Sequence, residues 1–65
     1  MENNCGLTAR EQEVLGLLSE GYSPLGIKEK LVIALPTVKM HLHNIFGKIN
    51  VNTMHQAVVW FYKNK

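Results

Sequence analysis

The 65-residue sequence has a single cysteine, Cys5, and lacks any apolar run of about 18 residues. One cysteine excludes an intramolecular disulfide framework and a zinc site built from several cysteines. The missing apolar run excludes a transmembrane helix, and the amino end MENNCG lacks the basic and apolar regions of a secretory signal. We therefore expect a soluble protein in a reducing cytosol that does not bind membranes.

The sequence also lacks the residue sets that catalysis requires. It has no glycine-rich phosphate loop, no convincing pair of catalytic carboxylates and no Ser/His/Asp set. Cys5 lies in a polar tail without a basic neighbour that would favour a thiolate. His41 and His43 are two residues apart, so on a helix they point about 200° away from each other and cannot share a metal ion. We expect no enzymatic activity, metal, cofactor or small-molecule ligand in this domain.

Charge is unevenly distributed along the chain. The formal net charge is +2, but residues 1–20 contain four Glu and one Arg, whereas residues 21–65 contain six Lys and one Glu. Residues 1–20 therefore have a formal net charge of −3, and residues 21–65 have one of +5. This split predicts that one side of the folded domain is basic.

Capping signals mark the first two of four short helical segments. Thr8 stands three residues before Glu11, which predicts a capping box in which each side chain pairs with a backbone N–H of the other. In the next segment Ser23 is placed as an N-cap, and Pro24 follows at the first helical position, where its missing N–H costs nothing. A tight connection, VIAL, leads from this second helix to the third.

The last segment repeats the first signal, because Thr53 and Gln56 have capping-box spacing. No strand alternation is sustained and no linker or repeat divides the chain. We predict an all-α domain of four helices at residues 7–65, preceded by a poorly ordered tail at residues 1–6.

The third segment, LPTVKMHLHNIFGKI, has two different sides on a helical wheel. One side is suited to the core and contains Val38, His41, Leu42, Ile45 and Ile49. The opposite side contains Pro36, Lys39, Met40, His43 and Gly47. A short turn between two helices, the second with a cation and hydrogen-bonding groups facing outward, is typical of a helix-turn-helix, whose second helix fits the major groove of DNA.

Three stretches carry a specific family likeness: LTAREQEVLGLLSEGYS, TVKMHLHNIFGKINV and QAVV. Together they closely resemble the LuxR/GerE-type helix-turn-helix domain from residue 7 to about residue 62. The resemblance implies a four-helix domain that binds double-stranded DNA through its third helix and dimerises through its fourth. It implies a bacterial transcription regulator, or the output domain of a response regulator or quorum-sensing regulator, acting in the cytoplasm at the nucleoid.

The resemblance also implies roles for individual residues. The candidates for reading base edges are Lys39, Met40 and His43, which coincide with the outward side of the third helix. The candidates for phosphate contacts are Ser23, Lys28, Lys30, Thr37 and Lys48. The candidates for the dimer interface, chosen from the apolar residues of the fourth helix, are Met54, Ala57, Val58, Trp60 and Phe61.

Several residues depart from the family pattern. Lys28 stands where a small residue is common, Ala34 where a Ser cap is common, and Leu35 and Pro36 where polar residues are common. These changes weaken the attraction to DNA, so a protein-interaction module that has kept the fold remains an alternative. A sigma-factor-like promoter-binding region is a second alternative, and RNA polymerase is a candidate further partner.

Overall fold

The computed structural model describes residues 6–64, which form four α-helices and no strand. The helices are α1 (Ala9–Ser19), α2 (Pro24–Leu31), α3 (Leu35–Ile49) and α4 (Met54–Asn64). This confirms the predicted all-α architecture. Within the described range no helix is both long and apolar enough to cross a membrane. Of the predicted tail, residues 1–5 lie outside the described residues.

Helix α1 begins with the predicted capping box. Thr8 Oγ1 accepts a hydrogen bond from the Glu11 N–H at 3.1 Å, and Glu11 Oε1 accepts one from the Thr8 N–H at 3.0 Å. The helix ends at Ser19, and the chain then turns through Gly21, whose φ of +103° lies in the left-handed region that favours glycine.

Helix α2 begins as predicted and ends in an unusual way. Ser23 Oγ accepts from the Gly26 N–H at 3.1 Å, and Pro24 occupies the first turn. The C-cap is Val32, with φ 56° and ψ 54°. A β-branched side chain in this left-handed region is strained. Because Leu35 is already helical, the turn to α3 has three residues, 32–34, rather than the four that were predicted.

The predicted capping box of α4 forms only in part. Thr53 Oγ1 accepts from the Gln56 N–H at 3.1 Å, as expected. Gln56 Oε1, however, accepts from the N–H of Asn52 at 2.7 Å and not from that of Thr53. The side chain therefore satisfies a backbone donor one residue earlier and closes the turn before α4.

The core lies between the four helices, and α1 packs against each of the other three. Every helix contributes at least one fully buried apolar residue, so no helix is peripheral. The buried apolar residues are Leu7, Val14, Leu15, Leu18, Ile27, Val38, Leu42, Ile45, Ile49 and Ala57. The core side predicted for α3 is thereby confirmed, except that His41 at its edge is only partly buried.

Candidate nucleic-acid interface

Helix α3 has one side in the core and the other on the surface. Val38 and Ile45 have no exposed surface, which fixes the rotation of the helix about its axis. Lys39, Met40 and His43 are exposed, and 54% of Met40 is accessible. The orientation predicted for these three side chains is therefore confirmed, although their role as base readers is a separate question.

The outward side of α3 forms a straight line of residues. Pro36, Met40, His43 and Gly47 recur at spacings of four, three and four, which places them on one line opposite Val38, with Lys39 at its edge. All of them are exposed. The 15 residues of α3 give it a length of about 22 Å. A helix with one free, unobstructed side can enter the major groove, which is about 12 Å wide.

The candidate phosphate-binding residues of α2 lie on different sides of that helix. Lys28 and Lys30 are two positions apart and therefore point in nearly opposite directions. Lys30 lines a shallow pocket of about 350 Å³ between α1 and α2, together with Glu13 and Glu20. Lys28 is partly buried on the other side, so it is better placed than Lys30 beside α3.

Lys28 stands where the family commonly has a small residue, and it lies next to the contact between α2 and α3. Ile27 beside it is fully buried, and α2 packs against α3. The long side chain is therefore accommodated without separating the helices.

Two further candidates lie at helix starts. Ser23 is exposed at the N-terminus of α2, and its oxygen already accepts the Gly26 N–H, which leaves its hydroxyl hydrogen for an external acceptor. Thr37 is partly buried in the first turn of α3, which has no side-chain cap at Ala34.

Lys48 has a different environment from the one expected for a phosphate contact. Its Nζ donates to Glu11 Oε1 at 2.7 Å and to the Gly6 carbonyl oxygen at 3.2 Å. The Glu11 side chain is only 5% exposed, so the pair is partly withdrawn from water. The hydrogen bond from Lys48, followed by the one from the Thr8 N–H, lowers the pKa of Glu11 below its usual value. Lys48 is therefore a weaker candidate for a phosphate contact than Lys28, because its charge is already paired within the fold.

The remaining cations are available to an external anion. Arg10 pairs with Glu13 at 3.5 Å, and Lys48 pairs with Glu11. Among residues 6–64, the lysines of α2 and Lys39 of α3 make no ion pair. Lys30, however, lies beside Glu13 and Glu20, on a different side of α2 from Lys28. The single basic side expected from the sequence therefore stays a prediction.

The surface of α4 differs from the predicted dimer interface. Ala57 has no exposed surface, so its assignment to a subunit contact is wrong. Val58, Trp60 and Phe61 are partly buried and pack against the core. Their apolar periodicity was correctly detected, but the side of α4 that it defines faces the protein's own core.

The apolar residues that α4 does expose are mostly others. The exposed fractions are 41% for Met54, 41% for Val59 and 52% for Tyr62. Tyr62 lies on the α1 side, where its hydroxyl donates to the Ser19 carbonyl oxygen at 2.9 Å. Val59 and Tyr62 were not among the interface candidates, although both lie on sides of α4 away from Ala57 on a helical wheel.

Within residues 6–64 no three His, Cys, Asp or Glu residues are grouped so that they could hold a metal ion. His41 is partly buried, and His43 and His55 are exposed. Cys5 lies outside the described residues.

Four helices, with a short turn before a third helix that has an exposed, cationic outer side, define a helix-turn-helix domain. Residues 6–61 match the model of one family, described as bacterial regulatory proteins, luxR family. The chain belongs to this family, as the resemblance predicted. The family is one of regulatory proteins and not a class of enzymes.

Individual relatives are similar over most of the chain. It is 53% identical over 58 residues to the transcriptional regulatory protein DegU of Brevibacillus brevis, an alignment that covers 89% of this chain and 25% of DegU. It is 43% identical to the transcriptional regulatory protein LiaR of Bacillus subtilis, covering 89% and 28% respectively. It is 40% identical to the response regulator protein VraR of Staphylococcus aureus, with the same coverage. The chain thus spans about a quarter of the length of these relatives.

Proposed function

We propose that this domain is the sequence-specific DNA-binding part of a bacterial transcription regulator, binding double-stranded DNA as a dimer. The observation that carries the proposal is the orientation of α3. Val38 and Ile45 are fully buried on one side, while Lys39, Met40 and His43 are exposed on the other. Membership of the luxR family and the regulatory names of the relatives support the same function.

The three exposed residues of α3 have chemistries that suit base edges. The Lys39 ammonium donates to the O6 and N7 acceptors of guanine. The Met40 side chain packs against the methyl group of thymine, as other apolar side chains do. The His43 imidazole can donate or accept a hydrogen bond. Together they provide one ionic, one apolar and one hydrogen-bonding contact in each half-site.

Phosphate contacts position the helix but do not read sequence. We assign them to Ser23 and Thr37 at the starts of α2 and α3, and to Lys28. Lys30 is a weaker candidate because it lines the pocket toward α1. Only the lysines neutralise phosphates, so Lys28 alone gives a dimer about two ionic contacts, and Lys30 raises this to about four. Log K is therefore expected to fall with log salt with a slope of about −2 to −4.

Dimerisation through α4 is supported by the apolar side chains that this helix leaves exposed. Met54, Val59 and Tyr62 are each accessible over at least 41% of their surface. A two-fold contact would cover the same surface on both subunits. It would also place the two α3 helices about 34–36 Å apart, one turn of DNA, and favour operators with two symmetric half-sites.

The relatives are between three and four times as long as this chain, so the domain is proposed to act as the output part of a regulator of that kind. In that role it would act at the bacterial nucleoid, and RNA polymerase is a further proposed partner. The proposal competes with a protein-interaction module and with a sigma-factor-like region that requires polymerase.

A duplex titration distinguishes these functions. The purified chain is titrated at two salt concentrations against a pool of random duplexes, and the bound fraction is sequenced. Enrichment of a two-fold symmetric motif, with affinity that falls steeply with salt, is the expected result. A folded chain that ignores duplex at both salt concentrations would favour the interaction module. Binding that appears only after polymerase is added would favour the sigma-factor-like region.

A further inference from the structure

Two glycines that need separate consideration are Gly16, inside α1, and Gly47, in the last turn of α3. Glycine disfavours a helix because its backbone loses more freedom on folding than that of alanine. A Cβ built on either glycine would meet no atom within 4 Å, and neither glycine has a positive φ. Neither internal packing nor backbone geometry therefore requires glycine at these positions.

The two glycines differ in what lies outside them. Gly47 lies on the exposed line of α3 with Met40 and His43, on the opposite side of the helix from the fully buried Val38. Gly16 lies on α1 and lines the shallow pocket between α1 and α2. Only Gly47 belongs to the surface that is proposed to enter the groove.

From this placement we infer that Gly47 is a close-approach point, at which the sugar–phosphate backbone of the groove wall lies directly against the backbone of α3. This inference rests on the proposed function. Lys39 and Gly47 are eight residues apart, which is about 12 Å along the helix. With Lys39 at base edges, Gly47 lies about two turns farther along the outward side of α3, where we infer that the groove wall approaches the helix.

The C-terminal half of α3 cannot shift easily to make room for a side chain at position 47. Ile45 and Ile49 are buried on its inner side. Between them, Lys48 is held by Glu11 at 2.7 Å and by the Gly6 carbonyl oxygen at 3.2 Å. Because these contacts anchor α3 to α1, a methyl group added at Gly47 would displace the DNA and not the helix.

The test compares Gly47→Ala with Gly16→Ala, two helical glycines at which an added Cβ would meet no atom within 4 Å. Both variants should raise Tm by about 2–8 °C, because alanine favours a helix and neither Cβ meets an obstacle. Gly47→Ala should weaken duplex binding by about tenfold, about 1.4 kcal/mol, because the added methyl group separates the groove wall from the backbone of α3. The loss should be equal on preferred and random duplexes, because the groove wall has the same chemistry in both. Gly16→Ala should bind like the wild type.

Each other outcome overturns the inference. Wild-type affinity in Gly47→Ala would show that the wall does not approach this position. A lower Tm in Gly47→Ala would show that the fold itself requires the glycine. If Gly47→Ala weakened binding to the preferred duplex only, Gly47 would lie against a base and not against the groove wall. If the wild-type chain binds no duplex, the proposed function fails as well; if both the wild type and Gly47→Ala bind tightly, this inference fails alone.

Discussion

Lys48 in the last turn of α3 lies with its Nζ 2.7 Å from Oε1 of Glu11 in the first turn of α1. The same carboxylate accepts the Thr8 N–H at 3.0 Å, so one side chain caps α1 and holds the end of α3. The contact joins residues 37 positions apart in the chain. It therefore helps to fix the orientation of α3, the proposed recognition helix, relative to α1.

The pair gives stability that depends on pH. Because the pKa of Glu11 is lowered in the folded state, its contribution is fully present above the ordinary value of 4.5 and is lost as pH falls through the lowered folded-state value. Glu11→Gln should destabilise the domain by about 1–3 kcal/mol at pH 7, near the lower end because Lys48 is partly exposed.

The measurement for Glu11 is the free energy of unfolding in urea at several pH values from neutral to strongly acidic. The difference between wild type and Glu11→Gln should shrink toward zero in acid, where the wild-type carboxyl is also uncharged. Glu29→Gln, which removes an exposed carboxylate from α2, is the control for a change in net charge. A difference that stays constant over the whole pH range would contradict the assignment.

Val32 at the end of α2 carries strain that can be removed. It has φ 56° and is 88% exposed, so its side chain gains little from packing while its backbone is in the left-handed region. Val32→Asn should stabilise the domain by about 1 kcal/mol, because asparagine tolerates this conformation.

The chain provides a reciprocal control for Val32. Asn50 caps α3 with φ 60° and ψ 53° and is also exposed. Asn50→Val should lower the free energy of unfolding by about 1 kcal/mol, which is about the amount by which Val32→Asn raises it. Thermal unfolding of the two variants and of the wild type measures both changes. Equal stability of Val32→Asn and the wild type would show that the left-handed cap is not strained.

The sequence predicted the four helices well because their signals are local. Thr8 with Glu11, and Ser23 with Pro24, act within one turn, and the apolar period of α3 depends only on its own residues. The partner of Lys48 could not be predicted in this way, because Glu11 is brought to it by the packing of α1 against α3. A surface cation and a cation bound inside the fold look the same in a sequence.

The assignment of Ala57 to the dimer interface on α4 was wrong for a related reason. An apolar stripe shows that one side of a helix avoids water, but it does not distinguish the protein's own core from a partner subunit. Ala57 was predicted to contact the partner subunit, although it is fully buried in its own subunit. Val59 was not predicted to do so, although it is 41% exposed. Which side of α4 faces inward depends on its contact with α1, which is distant in sequence.

The revised surface of α4 predicts that a charge at Val59 blocks dimerisation without unfolding the domain. Val59→Glu places a carboxylate on an exposed apolar surface, so Tm should change little while two like charges would face each other across a two-fold contact. Binding to a duplex with two half-sites should lose its cooperativity, whereas binding to a single half-site should be retained.

Sedimentation in the presence of each duplex, combined with a binding titration, measures this effect. Ala9→Glu is the control, because it adds the same charge at an exposed position in the first turn of α1, where an acidic residue is tolerated. Cooperative binding by Val59→Glu at wild-type strength would mean that the subunits pair through another surface.

Lys39 provides the most direct test of base reading. If its ammonium binds guanine O6 and N7, Lys39→Ala should lose about 1–3 kcal/mol on the enriched duplex and much less on random duplex. Lys63 is the matched control, since it is exposed near the end of α4 and also makes no ion pair within residues 6–64. Lys63→Ala should lower affinity for both duplexes slightly and equally, because it changes only the overall charge. Equal losses on both duplexes for Lys39→Ala would instead make Lys39 a phosphate contact, and the specificity of α3 would then depend on Met40 and His43.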